Sequence, residues 1–372
     1  MAHPRGRRIG ILFCQFAAYH VDRCAAAARL LAECAEVVAV EVATTSATYA
    51  WPASGEVGGA TKRTLFPGRS YEEVPRWRRF RAQFAALRDC DTVFVGVGYN
   101  EPDVLALAVA LRLIGRRVIL MTESKFDDMP RRLFRELAKA ALLSPFHGAI
   151  VGGPRHAAYM RLLGFRRRPV VTGYDSVDLA RVRTQGGGGS DAGFAERPFV
   201  FVGRFVAKKN LPFLLEAYRL YRERAGNAAR GLVLVGGGDL EPQVCALVES
   251  LGLVGSVEIT GFVDAPQVAV RLAGAVALLL PSREEQWGLV VNEALAFGLP
   301  VVVSEAVGAR DLLVRNLVNG FVLPADDAAG WAQAMATLGG DEALWQRMRQ
   351  ASRALAPAGD AVRFAEAVAA FV

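Results

Sequence analysis

The chain has 372 residues, 52% of them hydrophobic and 22% charged, and a formal net charge of +7. That balance excludes a disordered chain, and the length predicts two domains at roughly 150 residues each. No apolar run reaches about 18 residues without a charge, which excludes a membrane span, and no nucleic-acid recognition motif accompanies the positive charge.

The amino terminus, basic through Arg7 and Arg8, leads into a first predicted strand at 9–13 that is too short for a signal-peptide core. Further strands are predicted at 37–42, 92–97, 118–121, 149–151 and 170–172, with helices at 21–33, 77–87, 104–113, 131–143 and 155–163. Residues 43–75, with Trp51, Pro52, Gly55, Gly58 and Gly59, have weak periodicity and predict a long loop with a hairpin. Four consecutive glycines at 186–189 cost much backbone entropy to order, so they mark a flexible connector. Strands restart at 199–202, 232–235, 257–259, 277–280 and 301–303, and 326–372 is helical in pattern. This alternation predicts an α/β protein with two doubly wound parallel sheets. The five cysteines lack paired spacing, so neither a disulfide framework nor a zinc site is expected, and a reduced, cytoplasmic protein is the reading. Asp89-Cys90-Asp91 precedes a strand at its wrong end for a metal motif and reads as a surface turn; His147 and His156 read as structural.

The segment from Pro281 to Pro300 carries the chemistry. Glu285 and Glu293 flank Gly288, Leu289 and Val290, so the order is strand, carboxylate, glycine turn, helix, carboxylate. Free N–H groups at such a helix start can hold a phosphate, and Glu293 would then accept hydrogen bonds from sugar hydroxyls. A second block, Gly203-Arg204 through Lys208, Lys209 and Asn210, follows the strand at 199–202 with fixed positive charge. Between the two lie Gly236-Gly237-Gly238 and Gly261-Phe262-Val263, and after them Gly298-Leu299-Pro300 and Asn319-Gly320.

This succession resembles retaining glycosyltransferases of the GT-B fold, glycosyltransferase family 4, closely over residues 198–325 and loosely before them. The resemblance implies two Rossmann-like domains facing a cleft: an acceptor-binding domain at 1–178, a Gly-rich linker at 179–197, a nucleotide-sugar domain at 198–345, and a helical tail at 346–372 crossing back to the first. It implies that Arg204 and Lys209 contact the donor diphosphate, that Glu285 faces the transferred sugar, and that Glu293 binds the ribose. Gly203, Gly236, Gly288, Leu289, Val290, Phe262 and Val263 would complete the donor site. Trp287, standing where the family often has phenylalanine, would wall it. No metal and no cofactor beyond the nucleoside-diphosphate sugar (UDP-, GDP- or another) is required.

Ligands in open α/β sheets sit outside the carboxyl ends of strands. That rule directs Tyr19 and His20 after the first strand, Tyr99 and Asn100 after the strand at 92–97, and Glu123 after that at 118–121 toward a hydroxyl acceptor. His20 is the candidate for catalytic contact, because the chain lacks the family's histidine in the loop of Glu123. Acidic Glu101, Glu123, Asp127 and Asp128 suggest a cationic acceptor. The expected activity is transfer of a sugar with retention of configuration, in cell-envelope glycan or natural-product (aminocyclitol) glycoside biosynthesis. The alternatives are a non-catalytic sugar-nucleotide-binding protein and a GT-B-like epimerase. The arginine clusters have three readings: a solvated surface, attraction of anionic donors, or peripheral contact with an anionic membrane face.

Overall fold

The computed structural model describes residues 6–47, 54–187 and 192–372. Residues 1–5, the loop positions Trp51 and Pro52, and Gly188, Gly189, Ser190 and Asp191 of the connector lie outside them. The chain divides into two compact units, one of Met1–Phe126, Pro130–Asp178 and Ala361–Val372, the other of Asp127–Met129 and Leu179–Asp360.

In chain order the first unit holds β1 (Arg7–Phe13), α1 (Ala18–Leu31), β2 (Ala35–Thr45), β3 (Thr61–Ser70), α2 (Arg76–Leu87), β4 (Thr92–Val95), α3 (Pro102–Leu113), β5 (Arg117–Thr122), α4 (Leu133–Leu142), β6 (Gly148–Val151), α5 (Pro154–Leu162) and β7 (Val170–Thr172). The second holds α6 (Leu179–Gln185), β8 (Phe199–Val202), α7 (Leu211–Ala225), β9 (Leu232–Val235), α8 (Glu241–Ser250), β10 (Val257–Ile259), α9 (Ala265–Gly274), β11 (Ala277–Leu280), α10 (Val290–Ala296), β12 (Val301–Ser304), α11 (Arg310–Leu313), β13 (Gly320–Leu323), α12 (Ala328–Gly340) and α13 (Glu342–Leu355). The last helix, α14 (Ala361–Ala369), returns to the first unit.

Each unit is built on one sheet, ordered β3-β2-β1-β4-β5-β6-β7 in the first and β10-β9-β8-β11-β12-β13 in the second. Every pairing within them is parallel. Parallel sheets need both faces covered, and the first unit shows how the sequence meets that need. Ile9, Ile11 and Phe13 of β1, with Ile119 and Met121 of β5, pack in one cluster with α1 and α14. Leu12, Val118 and Leu120 alternate with them and pack on the opposite face with Leu107 and Leu111 of α3. Period-two alternation therefore persists inside runs that are apolar throughout.

Two local expectations change. The long loop expected at 43–75 contains a strand: β3 pairs with β2, parallel and with a register shift near Ala43 to Thr45. Pro67 and Gly68 mask it in the sequence, and both are tolerated because β3 is the sheet's edge. Residues 179–185, expected within the connector, form α6, which seats the buried Leu179 and Val182. Strand β13, unassigned from sequence, closes the far edge of the second sheet against β12.

In both sheets the strand order reverses direction at one point, between β1 and β4 in the first and between β8 and β11 in the second. Loops leaving the carboxyl ends of those strands are where open α/β sheets bind ligands.

Candidate functional site

At the second unit's reversal point two loops are stitched together. After β8 the chain turns through Gly203 and Arg204 into a short 3-10 turn, Ala207–Lys209, and then Asn210 in the left-handed region (φ 60°) opens α7. Asparagine tolerates that backbone better than most residues. Its buried side chain donates to the carbonyls of Pro281 (3.2 Å) and Ala325 (2.9 Å). The loop after β11 answers, with the N–H of Arg283 donating to the carbonyl of Lys208 at 2.8 Å.

This stitching places Lys209 against Glu285. The ammonium donates to Glu285 Oε2, and the Ser282 hydroxyl donates to the same oxygen at 2.9 Å. Glu285 is 8% exposed, so its charge is held largely out of water and is compensated by that cation and that hydroxyl. Arg204 is exposed and forms no salt bridge among the described residues. A buried carboxylate with its ammonium, and an exposed guanidinium on the same turn as that ammonium, can together hold and orient a charged, hydroxyl-bearing group.

The glycine turn after β9 lies beside the same loop. A side chain at Gly236 (φ 130°) would sit 2.0 Å from the carbonyl oxygen of Gly203, so the two turns touch backbone to backbone. The N–H of Phe205 donates to Gly237 O at 2.7 Å, and Gly236 bridges to Gly261. The Phe262 ring stands over Gly237, 71% exposed, with Val263 half-buried behind it. Gly288, at φ 96°, releases the chain into α10, where Leu289 and Val290 are half-buried and Glu293 lies in the first turn.

Trp287 departs from its expected role. It is 3% exposed, and its indole N–H donates to Asn292 Oδ1 at 2.9 Å, while Asn292 Nδ2 donates to Gly359 O at 3.0 Å. The ring packs beneath the loop and leaves almost no surface for a ligand. Ser282 and Asn210 carry structural duties at the site that sequence reasoning did not assign. The signal for Asn210 was its place just before Leu211-Pro212, a helix start; Ser282 had only its nearness to Glu285.

In the first unit, His20 lies in the first turn of α1, 6% exposed, with its ring 4.1 Å from that of Phe13 and 4.2 Å from that of Tyr19. Its Nδ1 accepts from the N–H of Ala17 at 3.0 Å. Burial, then the charge of Arg23, holds the imidazole well below its ordinary pKa, so it is neutral and carries its proton on Nε2. One turn on, the fully buried Arg23 lies 4.8 Å from both the Tyr19 and Tyr174 rings and donates to Ser176 O at 3.0 Å. Its ion-pair partner is Asp175, whose carboxyl is raised far above its usual range by burial and by the neighbouring charge of Glu123.

Tyr99 bonds Ser124 at 3.3 Å across the ends of β4 and β5, with Asn100 exposed beside it. Glu101 does not await a cationic ligand, since Arg79 donates to it at 3.0 Å and bonds Asp103 at 2.9 Å. Of the acidic residues expected to attract a cation, Glu101 is thus committed elsewhere. His147 and His156 each accept a backbone N–H through Nδ1 and are structural.

Two Rossmann-like units, each on one parallel sheet, place the chain in the GT-B fold class of α/β proteins. Residues 195–355, within the second unit, match the model of the family Glycosyl transferases group 1. The D-inositol 3-phosphate glycosyltransferase of Salinispora arenicola is 33% identical over 194 residues, 48% of this chain and 43% of that one. The alpha-D-kanosaminyltransferase of Streptomyces kanamyceticus is 29% identical over 176 residues, 45% of each chain. The chain spans under half the length of either curated relative. Among solved structures, Anabaena HepE in complex with UDP-glucose superposes with a TM-score of 0.72 at 17% identity, covering 98% of both chains. No helix among the described residues is long and apolar enough to cross a membrane.

Proposed function

We propose that this chain is a retaining glycosyltransferase that moves a hexose-type sugar from a nucleoside diphosphate to a hydroxyl acceptor. The observation that supports it most is the contact of Lys209 with Glu285, which joins the diphosphate-binding turn to the sugar-facing carboxylate at the reversal point of the second sheet. Departure of the diphosphate concentrates negative charge on its leaving oxygen. Arg204 and Lys209 would stabilise that charge, so the reading needs no metal. Glu285, held by Lys209 and Ser282, would receive hydroxyls of the transferred sugar, and Glu293 those of the ribose. Retention would follow if the departing phosphate takes the acceptor's proton on the face it leaves.

On the acceptor side, Tyr19, His20, Tyr99, Asn100 and Glu123 are assigned by their places after β1, β4 and β5. Neutral His20 would act as an Nε2–H donor to a hydroxyl and not as a base. One curated relative is named for D-inositol 3-phosphate, which supports small polyhydroxylated acceptors as a first panel, followed by aminocyclitols and lipid-linked glycans from cell-envelope pathways.

The test is release of nucleoside diphosphate from UDP- and GDP-sugars, measured with and without acceptor pools. Arg204 is exposed, so Arg204→Ala removes charge without disturbing packing, whereas removing Lys209 would strand Glu285. Turnover of Arg204→Ala under saturating donor is expected to fall by about 10²–10³. Near-wild-type turnover would overturn the assignment, and donor binding without transfer or hydrolysis would leave a binding protein instead.

A further inference from the structure

The helix α4 is built inside out. A surface helix ordinarily turns its apolar stripe to the core and its charges to water. Here none of the ten residues of α4 is buried, and Leu133, Phe134 and Leu137 are 77%, 64% and 63% exposed. Glu136 and Lys139 face inward instead. Glu136 accepts from the Tyr159 hydroxyl and from Lys139, which lies 3.0 Å away, and Lys139 also reaches Tyr159 Oη at 3.1 Å. That network fixes the helix's rotation, so the apolar side cannot roll under. Leu142, 48% exposed, extends the face at the helix end, and Phe126, 53% exposed, adds an aromatic before its start.

Charge says what covers this face. Between 131 and 142 the chain carries Arg131, Arg132, Arg135 and Lys139 against the single acid Glu136, and that acid is turned inward. Arg132 and Arg135 are exposed on the same helix as the apolar side chains. A second protein surface or another copy of this chain would have to supply acids at matching points. An apolar face with a basic rim instead suits a helix lying in the headgroup layer of an anionic bilayer. A short helix with a few large apolar side chains inserts shallowly, and the arginines add electrostatic attraction that salt weakens.

We propose that α4 docks the protein peripherally on an anionic lipid surface through Phe126, Leu133, Phe134 and Leu137, with Arg132 and Arg135 on the headgroups. The inference stands apart from the glycosyltransferase reading, because neither its residues nor its readout involve the donor site.

The experiment is co-sedimentation of the full chain with vesicles of phosphatidylcholine alone or mixed with phosphatidylglycerol. The wild type is expected to sediment with the mixed vesicles and far less with the neutral ones. The double substitution R132E/R135E should lower the partition coefficient by about thirtyfold, on the usual contribution of a basic residue near such a surface. L133S/F134S, which removes only exposed carbon, should lower it about tenfold or more while circular dichroism stays unchanged. Failure of the wild type to sediment with anionic vesicles would overturn the proposal, as would both variants sedimenting like the wild type. So would sedimentation velocity showing a wild-type dimer that L133S/F134S dissolves, since the face would then be an interface between copies.

Discussion

Lys209 and Glu285 stand 76 positions apart, and nothing short of the folded second unit brings them together. Their types were legible in the sequence, as a cation in one block and a carboxylate in another, but each read as a separate ligand contact. The ion pair between them adds that each pre-sets the other: Glu285 holds the ammonium in place, and Lys209 lets a carboxylate persist at 8% exposure. His20 shows the converse, a residue whose place was legible but whose protonation was not. Its ordinary value is 6.5, and burial followed by the charge of Arg23 depresses it in the folded chain. As pH falls through 6.5, the unfolded chain takes up a proton on His20 that the folded chain refuses. The residue's contribution is therefore complete above that value and is lost below it, by up to about 1.4 kcal/mol per pH unit. His20→Gln is expected to flatten the fall of Tm between about pH 7 and pH 5. Parallel Tm curves for variant and wild type would show that His20 titrates normally.

At the scale of elements, apolar runs told strand from helix wherever the run was clean, as in β5, β8 and β11, and failed where composition blurred it. Strand β3 reads Thr61-Lys62-Arg63-Thr64-Leu65-Phe66-Pro67-Gly68-Arg69-Ser70 and is mostly half-exposed, because an edge strand has only one partner to satisfy. Its pairing with β2 is a long-range fact that no local period announces. The loop from β11 to α10 failed differently. Trp287 has the size and position of a pocket wall, yet the closing of Asn292 onto both Trp287 and Gly359 draws it into the interior. Trp287→Phe removes the indole donor from a buried amide oxygen and should cost about 1–3 kcal/mol of stability in denaturant titrations. The KM for donor should stay within about twofold, since binding energy is lost only where a side chain touches the ligand. A KM raised severalfold at unchanged stability would return Trp287 to the donor wall.

Across the whole molecule, the first unit is not contiguous in sequence, because its core is completed by the chain's last twelve residues. Phe364, Val368 and Phe371 are at most 1% exposed and pack with Cys24, Ala27 and Leu31 of α1 and with Ile9 and Ile11 of β1. The Ala361 N–H donates to Val177 O at 2.9 Å, and Arg117 donates to Phe371 O at 2.9 Å, so the segment is fastened at both ends. A helical pattern at the carboxy terminus was readable from the sequence. Its membership in the first unit came only as what the family resemblance implied, since alanine-rich helices carry no address of their own and only the complementary alanine face of α1 supplies one. Burying three side chains of this size contributes roughly 5–9 kcal/mol, which is comparable with the entire stability of a domain. A chain ending at Asp360 should therefore lose amide protection in β1, β2 and β4 while β8, β11 and β12, whose core is drawn from residues 179–360, keep theirs. Hydrogen exchange read strand by strand decides it: full protection of β1 and β2 in the shortened chain would mean that α14 is a surface strap and not part of the first unit's core.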